Sequence, residues 1–435
     1  MDGTMKRRLK YAVKGCANGV WGDEPNDEDD LIVVRVADFD RERCRVRLGD
    51  LPTIRAIPQS ARNRRCLEPG DLLIEKSGGG EQQPVGNVVL FDDERPAVCS
   101  NFVARMPVAA ECDSRFVNYV FRAMYSEGRN IPHIKQTSGI QNLDSESYLN
   151  ELAWLPDKGT QKAIANFLDE QTARIDALIA EKERLIALVD ELRDGVCRDA
   201  LSRGHATSIQ LVDSGDQFVG RIPAHWSVLP WKRLGQFTGG AGFPVEYQGV
   251  ATEELPFFKV KDLDAENLLE PLTETDNTVS RETAAKLRAT VFNPGTLTFA
   301  KVGAALLLLR VRRLGVPCCI DNNMMAFVPN ESVVYPIFAQ LALGNLPLDW
   351  LVNPGAVPSV SASQVGDVKL ALPGIEEQRS IANFVLTKFD EYSRMHSHLL
   401  EHVLRLREYR SSLISAAVTG QLNIDDFQAR QLEAA

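Results

Sequence analysis

Two short segments of the chain place a lysine directly before small residues. They are Lys76-Ser77-Gly78 and Lys301-Val302-Gly303. Small residues let a backbone approach an anionic ligand closely, and the lysine supplies the opposite charge. Both segments are therefore candidate phosphate contacts on a nucleic acid. The alternative interpretation is a tight turn with a solvated lysine.

Further basic and polar side chains could read the edges of bases. Arginine suits this role because its planar fork can bind O6 and N7 of guanine together. One arginine cluster precedes the first lysine segment, and another alternates along a predicted strand after the second. With a polar loop before the first long helix and two lysines of the second half, the candidates are Arg62, Arg64, Arg65, Lys135, Gln136, Thr137, Lys259, Lys261, Arg310, Arg312 and Arg313.

A longer motif occurs twice and organises the rest of the chain. Leu-Pro followed by Gln-x-x-Ile-Ala-Asn-Phe stands at 155–167 and again at 372–384. Each copy opens a long charged stretch that ends at a glycine, Gly204 or Gly420. Proline near the start and glycine after the end are typical of helix boundaries. The pattern predicts two helices, each roughly 60 Å long at 1.5 Å per residue.

Apolar residues in both predicted helices recur at steps of four and three, which is the heptad spacing of a coiled coil. Each stripe needs a partner, and we predict that the two helices pair with each other in antiparallel orientation. The predicted seam consists of Ile164, Leu168, Ile175, Leu178, Leu185, Val189 and Leu192 in the first helix and of Ile381, Val385, Tyr392, Met395, Leu399, Leu406 and Leu413 in the second.

The segments that precede the two helices also repeat. The Pro-Gly at 69–70 recurs at 294–295 in the same position relative to the lysine segments, and Arg8-Leu9 is matched with Arg233-Leu234. Short apolar runs bounded by turn residues, together with a helical pattern at 113–125, predict α+β domains. The chain is therefore predicted to be a tandem duplication in the order domain, helix, domain, helix.

Two groupings could carry catalysis. Asp71, Glu75 and Lys76 superficially suggest a metal nuclease, but adjacent residues of a strand point to opposite faces, and the second copy has Thr296 and Ala300 in place of the acids. His396, His398 and His402 put two imidazoles four residues apart on a helix, which is a possible metal pair, but His402 falls on the apolar stripe and no third ligand is apparent. The chain also lacks a Gly-x-x-x-x-Gly-Lys-Ser/Thr loop and an Asp/Asn-Pro-Pro-aromatic motif. We therefore expect no catalytic and no metal site.

Composition narrows the class of protein. The chain has 435 residues and a net charge of −10, which argues against nucleic-acid binding by bulk charge and requires placed Lys and Arg contacts. No apolar run approaches the roughly 18 residues of a membrane span, so no membrane partner is expected. The eight cysteines include no Cys-x-x-Cys pair, which predicts reduced core residues in a cytoplasmic protein.

The duplicated order, with Leu-Pro and Gln-x-x-Ile-Ala-x-Phe opening each long helix, resembles the specificity (S) subunit of type I restriction-modification systems. Two more motifs agree with this. The segment 220–226 resembles the Gly-x-Ile-Pro-x-x-Trp entry to a target recognition domain, and 413–420 resembles the end of the second long helix of that family. The resemblance covers essentially the whole chain.

The resemblance implies an α+β fold with two similar target recognition domains, separated by two long antiparallel coiled-coil helices in a pseudo-twofold tandem repeat. The implied divisions are a first recognition domain at 1–155, a helix at 156–205, a second recognition domain at 206–372, a helix at 373–420 and a tail at 421–435.

It also implies a non-catalytic subunit. Each domain would read one half of a bipartite site in double-stranded DNA, while the helices set the spacer and dock two methyltransferase (M) subunits, with restriction (R) subunits as further partners. The cofactors S-adenosylmethionine, ATP and Mg²⁺ would belong to those partners. The alternative is a coiled-coil scaffold for proteins, without DNA specificity.

Overall fold

The computed structural model describes residues 6–63, 65–137, 139–206, 210–264, 268–353 and 357–424. The chain forms two compact units. The first unit comprises Met1–Arg184 and Leu400–Ala435, and the second comprises Leu185–Leu399. Each unit therefore contains one β-rich domain and a part of each of two long helices.

The two long helices are Lys158–Arg203, the first long helix, and Ile375–Val418, the second long helix. Each ends just before a glycine in the left-handed region, where glycine carries no steric penalty; φ is 74° at both Gly204 and Gly420. Across the described residues, no helix combines the length and the apolar character needed to cross a membrane.

In the first unit, ion pairs show how the two long helices run. The Arg410 guanidinium donates from Nη2 to Asp176 Oδ2 at 3.0 Å, and Arg407 Nη2 donates to Glu183 Oε1 at 2.9 Å. As the residue number rises on the first long helix, it falls on the second. The helices are therefore antiparallel here.

The second unit shows the same direction. His205, just beyond the first long helix, donates to or accepts from Ser380 Oγ at 2.9 Å and stacks on Phe384 with ring centroids 5.0 Å apart. Further along, His396 Nε2 lies 3.9 Å from Asp190 Oδ2. The predicted antiparallel pairing of the long helices is confirmed in each unit.

In the first long helix, three residues of the predicted seam, spaced seven apart, are not part of the buried stripe. Leu178 is 45 % exposed while Ile179 is 8 % exposed, and Leu185 and Leu192 are exposed as well. The predicted positions Leu178, Leu185 and Leu192 are therefore corrected. A series of apolar residues that steps by four and then three shares every seventh residue with a series that steps by three and then four. Where leucine and isoleucine are adjacent, one of them fits each series. Apolar spacing alone therefore cannot show which of the two is buried.

The second long helix shows the same shift by one residue. Met395 is exposed and the neighbouring His396 is half-buried, so the prediction that Met395 lies in the seam is wrong. Val403 shows the same shift, since it is buried and the histidine before it is exposed. The other predicted seam residues lie on the covered face of their helices. These are, fully buried, Ile164, Leu168, Ile175, Val189, Ile381, Val385 and Leu413 and, half-buried, Tyr392, Leu399 and Leu406.

The first domain is built on a six-stranded sheet in the order 17–18, 103–106, 72–75, 88–90, 45–46 and 39–40. Its strands are Lys6–Arg8, Ala17–Asn18, Asp30–Val34, Phe39–Asp40, Arg45–Val46, Ile54–Ala56, Leu72–Glu75, Ser77–Gly78, Val88–Leu90, Ala97–Cys99, Val103–Met106, Ile134–Thr137, Ile140–Leu143 and Leu152–Trp154. Its α-helices are Gln59–Arg62, Ser114–Ser126 and Ser145–Tyr148, with 3-10 turns at Leu9–Tyr11, Val36–Asp38 and Ile131–His133.

The second domain is built on a four-stranded sheet in the order 235–239, 324–329, 297–300 and 312–313. Its strands are Leu211–Asp213, Arg221–Pro223, Ser227–Pro230, Gly235–Gly239, Leu255–Phe258, Thr278–Val279, Leu297–Ala300, Arg312–Arg313, Cys319–Ile320, Met324–Pro329 and Lys369–Leu372. Its α-helices are Arg281–Lys286, Ala304–Leu307, Pro336–Leu343, Leu348–Leu351 and Ala362–Asp367, with 3-10 turns at Trp231–Arg233, Val245–Tyr247 and Val260–Leu263.

The two domains repeat one another in strand register. In the first, Ile74 lies opposite Ala104 in an antiparallel pair, and in the second Phe299 lies opposite Met325. A parallel pair recurs as well: the strand Ala97–Cys99 runs beside Asp30–Val34, and Cys319–Ile320 runs beside Leu255–Phe258. The α+β fold with two similar domains and two long helices is thus confirmed.

One predicted match between the halves is wrong. Leu9 N–H donates to the Glu151 carbonyl and Trp231 N–H donates to the Val368 carbonyl, each at 3.0 Å, and each residue opens a 3-10 turn. Leu9 therefore corresponds to Trp231, and the match of Arg8-Leu9 with Arg233-Leu234 is off by three residues. The shared property is a large, fully buried side chain rather than a shared residue type.

Candidate nucleic-acid interface

The recurring glutamine of the helix motif joins each domain to its own helix. Gln161 Oε1 accepts from the Asp113 N–H at 2.9 Å, and its Nε2 donates to the Pro156 carbonyl at 2.7 Å. The half-buried Asp113 side chain in turn caps the helix Ser114–Ser126 by accepting from two backbone N–H groups. Because a buried amide must satisfy both of its ends, this contact fixes the domain against the start of the helix.

The second copy makes the same contacts. Gln378 Oε1 accepts from the Tyr335 N–H at 2.8 Å, and its Nε2 donates to the Pro373 carbonyl at 2.9 Å. Tyr335 precedes the helix Pro336–Leu343, as Asp113 precedes the helix of the first domain. The frame that carries the candidate residues is therefore built alike in both units.

A second shared element stands beside the candidate lysine loops. Arg35 N–H donates to Asp38 Oδ2 at 2.7 Å, and Lys259 N–H donates to Asp262 Oδ2 at 2.6 Å, each closing a 3-10 turn. The two segments therefore occupy equivalent positions in their domains. In the second domain, Lys259 Nζ also donates to Gln248 Oε1 at 2.7 Å.

In the first domain, Lys76 follows the buried strand Leu72–Glu75 and ends on the surface. Its Nζ donates to Asn18 Oδ1 at 2.8 Å. Ser77 Oγ donates to Asn142 Oδ1 at 2.7 Å, and Gly78 has a φ of 114° that favours glycine. The turn is therefore held in one shape by side-chain hydrogen bonds.

A hairpin formed by the strands Ile134–Thr137 and Ile140–Leu143 lies beside this turn, because Gly78 pairs with Gln141. The structure thus brings Lys135 and Gln136 into the same sheet as Ser77 and Gly78. Lys135 is exposed, and its Nζ donates to Asp144 Oδ2 at 2.8 Å. The Thr137 side chain lies outside the described residues.

The arginine cluster of the first domain is only partly brought to this place. Arg65 Nε donates to the Asn18 carbonyl at 3.3 Å, so Arg65 and Lys76 meet at one asparagine. Arg62 instead pairs with Asp29 at 2.8 Å and donates to the Ile57 carbonyl. Arg64 lies outside the described residues.

In the second domain, Lys301 occupies the position of Lys76. Its N–H donates to the Asn323 carbonyl at 2.9 Å, and its Nζ lies 3.2 Å from where a Cβ on Gly239 would stand. Gly239 thus takes the place of Asn18 beside the lysine. Gly303 has a φ of 83°, and its N–H donates to the Pro358 carbonyl at 2.8 Å.

The other basic candidates of the second domain have different environments. Arg310 Nη1 lies 3.1 Å from Asp264 Oδ1, and the exposed Lys261 lies 3.1 Å from Asp276 Oδ2. Arg312 is buried, donates from Nε and Nη2 to the Glu270 carbonyl, and has a pKa lowered by desolvation. Its neighbour in the strand, the half-buried Arg313, lies opposite Leu297.

The acids weighed as a nuclease site are ion-pair partners. Asp71 Oδ2 accepts from Arg105 Nε at 2.6 Å, and Glu75 Oε2 accepts from Arg41 Nη2 at 2.8 Å. Burial raises the pKa of Glu75, and Arg41 opposes that shift. Within the part of the chain that the structure describes, no three His, Cys, Asp or Glu side chains are grouped so as to hold a metal ion.

Sequence reasoning missed the partners that shape the lysine turn of the first domain. Asn18 and Asn142 are far from Lys76 along the chain, and nothing in their sequence context marks them. It also missed Leu307 and Leu308, which lie in an apolar run typical of a core and yet are exposed. Only the position of the preceding glycine, Gly303, could have signalled a turn there.

Two similar β-rich domains, each leading into one of two long antiparallel helices, define the class of this protein. No protein-family model matches the chain, and no curated protein matches it in sequence. Solved structures do match it. One is a chain from work on the complex assembly and conformational transition of the type I R-M system: it is 14 % identical, has a TM-score of 0.73, and the match covers 96 % of this chain and 98 % of that chain.

A second match is the HsdS subunit from Thermoanaerobacter tengcongensis. It is 15 % identical, with a TM-score of 0.55, over 96 % of this chain and 97 % of that chain. The predicted resemblance to type I specificity subunits is thereby confirmed at the level of the fold.

Proposed function

We propose that this chain is the DNA-recognition subunit of a type I restriction-modification complex. Each domain reads one half of a bipartite site in double-stranded DNA. The long helices set the spacer between the half-sites and dock two methyltransferase subunits, and restriction subunits join the same complex. The observation that carries the proposal is that two domains share their frame but differ in the loops beside their matched lysines.

The matched lysines are the proposed phosphate contacts. Lys76 and Lys301 follow equivalent strands, and each is followed two residues later by a glycine with positive φ. A backbone contact of this kind positions DNA without reading its sequence. Lys135 and Lys261, both exposed, extend the proposed contacts in their own domains.

Base reading is assigned to arginines whose guanidinium groups are not committed to the core. Arg65 and Lys76 both donate hydrogen bonds to Asn18. Arg310 and Arg313 follow the lysine loop of the second domain. Arg62, which also pairs with Asp29, and the buried Arg312 are assigned instead to shaping these surfaces. Because the two sets differ in position and neighbours, the two half-sites should differ in sequence.

Exposed apolar side chains on the long helices support docking of partner proteins. In the first unit, a groove of about 380 Å³ is lined by Leu178, Lys182, His402, Arg405, Leu406 and Tyr409. In the second unit, Leu188, Leu192 and Met395 are exposed. Large apolar residues on a solvated helix face are typical of a protein interface, and we assign these faces to the methyltransferase subunits.

The chemistry of the complex is assigned to those partners. Methylation would use S-adenosylmethionine, and cleavage would use ATP and Mg²⁺, all bound by subunits other than this chain. The proposed role of this chain is to hold the DNA and the catalytic subunits in register, in the cytoplasm where the host DNA lies.

The first test is to co-express the chain with its methyltransferase subunits and to map methylated adenines across the host genome. The expected result is one split motif with two unlike halves and a fixed gap. A complex that forms but leaves the DNA unmodified would contradict the proposal. In that case, binding to DNA that does not weaken steeply with salt would favour the protein-scaffold alternative, since phosphate contacts would be few.

A second test addresses the spacer. Inserting about four residues, close to one helical turn, between Ala173 and Leu185 is expected to lengthen the gap of the methylated motif and to leave both half-sites unchanged. Four alanines are suitable because alanine favours the helix. A changed half-site with an unchanged gap would overturn the assignment of the helices as the spacer.

A further inference from the structure

A short turn in the second domain exposes two adjacent leucines. The turn begins at Gly303 and contains the helix Ala304–Leu307. Leu306 is fully buried, whereas Leu307 is 55 % exposed and Leu308 is 60 % exposed. Single exposed leucines are common on proteins, but two in sequence at the tip of a turn form a concentrated apolar surface.

The leucine pair is held rigidly. Leu306 N–H donates to the Gly303 carbonyl at 3.1 Å, and Leu309 N–H donates to the Leu306 carbonyl at 3.0 Å. Leu309 has a φ of 42°, a conformation that non-glycine residues seldom adopt, so the surrounding structure must enforce it. The buried Leu306 anchors the turn while its two successors point outward.

The adjoining loop adds a third apolar side chain. Gly303 N–H donates to the Pro358 carbonyl at 2.8 Å, and Val302 forms a bridge with Ser359. Val357, at the edge of that loop, is exposed. Leu307, Leu308 and Val357 thus lie on two hydrogen-bonded neighbouring segments next to Lys301, and we call these three exposed side chains the apolar ridge.

The charge around the ridge favours an anionic occupant. The segment 301–313 carries Lys301, Arg310, Arg312 and Arg313 and no acid. Asp264 pairs with Arg310, Arg312 is buried, and Arg313 lies opposite Leu297, roughly 13 Å along the strand from Lys301. Lys301 is therefore the half-exposed cation that adjoins the turn. An apolar tip next to a cation suits a DNA groove, where cations bind phosphates and apolar side chains can enter between base pairs.

We propose that Leu307 and Leu308 insert as a wedge between two base pairs of the half-site read by the second domain and kink the duplex there. The inference rests on the proposed function. The equivalent segment of the first domain, Gly78 to Gln83, is polar and has no such side chain. Only one half-site is therefore deformed, and it should contain a flexible pyrimidine-purine step, which is the easiest step to unstack.

The test uses the assembled complex with its methyltransferase subunits and a duplex that carries the motif found by methylation mapping. Leu307→Ser/Leu308→Ser is compared with Val245→Ser, a matched control at an 82 % exposed apolar residue of the same domain. Bending is measured by energy transfer between dyes at the duplex ends. Unstacking is measured by 2-aminopurine fluorescence at the flexible step.

The double serine variant is expected to lose the bend and the fluorescence increase and to bind at least about tenfold more weakly. The control is expected to behave as the unaltered complex. Leu307→Met/Leu308→Met, which keeps apolar side chains, should retain both signals. The first half-site of the motif should be unchanged in all variants.

Three outcomes would overturn the wedge. Bending and binding by the serine variant at the unaltered level would show that the leucines do not enter the DNA while leaving the proposed function intact. Failure of the serine variant to co-purify with the methyltransferase subunits would show that the ridge is a protein contact. Absence of any bipartite motif from the unaltered complex would refute the proposed function, and the wedge with it.

Discussion

The strand that precedes each lysine loop ends differently in the two domains. In the first, Leu72–Glu75 ends in a carboxylate that is 1 % exposed and is neutralised by Arg41 at 2.8 Å. In the second, the equivalent strand ends in Ala300, whose methyl group needs no partner. Beyond these residues, one loop is polar and the other carries Leu307 and Leu308. The domains thus differ where the central strands reach the loops.

The same two domains agree where they meet their helices. Gln161 and Gln378 each accept from the residue before a domain helix and donate to a proline before a long helix. An agreement at the joints and a difference at the loops indicate a duplicated frame that carries two different sets of loops. Each of the following predictions tests one side of this contrast.

The largest effect is expected for Arg41→Met. The ion pair that Arg41 forms has no counterpart in the second domain. Removing the guanidinium leaves Glu75 buried without a cation, which should reduce the free energy of unfolding by about 4 kcal/mol at pH 7. The measurement is urea unfolding of the whole chain followed by tryptophan fluorescence. The double variant Arg41→Met/Glu75→Ala, which imitates the second domain, should recover most of the loss.

The deficit of Arg41→Met should depend on pH. Burial already raises the pKa of Glu75 and Arg41 opposes that shift, so the variant raises this pKa further. A carboxyl with a raised pKa destabilises the folded state when it is ionised. The deficit should therefore shrink as pH falls from 7 towards 5 and the carboxyl takes up a proton. A deficit that stays constant over this range would show that lost packing, not buried charge, is responsible.

In each unit, the corrected seam offers two neighbouring residues for comparison, one buried and one exposed. Ile179→Asp in the first unit and Val189→Asp in the second should each cost about 3 kcal/mol, because each removes a buried apolar side chain. Leu178→Asp and Leu188→Asp, at exposed neighbours, should change stability by less than about 0.5 kcal/mol and should weaken co-purification with methyltransferase subunits. Equal destabilisation by neighbouring substitutions would show that the buried stripe is not where the structure places it.

The glutamine joints should respond alike. Gln161→Ala and Gln378→Ala each remove a buried amide and leave a backbone N–H and a proline carbonyl without this partner, at a cost of about 2 kcal/mol in each case. Thermal unfolding by calorimetry would resolve whether the two variants lower the same or different transitions. A marked inequality between the two would contradict the equivalence of the joints.

The smallest effects are expected for the matched lysines. Lys76→Met and Lys301→Met keep the apolar stem and remove the charge, so each should reduce the slope of log affinity against log salt by about 1. The methylated motif should be unchanged, since a phosphate contact carries no sequence information. A change in one base of the motif would instead assign that lysine to base reading.

The sequence was sufficient for the architecture because the long helices rest on a strong, repeated signal. The recurrence of Leu-Pro and Gln-x-x-Ile-Ala-Asn-Phe established the duplication, and the heptads established the pairing. The sequence could not show whether Leu178 or Ile179 is buried, since both are large and apolar and only the position of the facing helix decides which is covered.

The candidate interface was harder to predict from the sequence than the architecture was. Lys76 and Lys301 could be found because a glycine follows each at the same distance. Asn18 could not be connected with Lys76, since that contact depends on strand register across the sheet. The exposure of Leu307 and Leu308 was hidden because an apolar run is usually buried, and only the turn beginning at Gly303 brings them to the surface.

In each domain an early strand is the hydrogen-bonded neighbour of the last strand. Lys6–Arg8 pairs with Leu152–Trp154, and Ser227–Pro230 pairs with Lys369–Leu372, both antiparallel. The two ends of each of these segments therefore lie side by side, next to the start of the long helix that follows. In evolutionary terms, a single recombination event between genes of this kind could replace the coding segment for one domain and leave both helices and their joints intact. Under the proposed function, a new half-site would be acquired in one step.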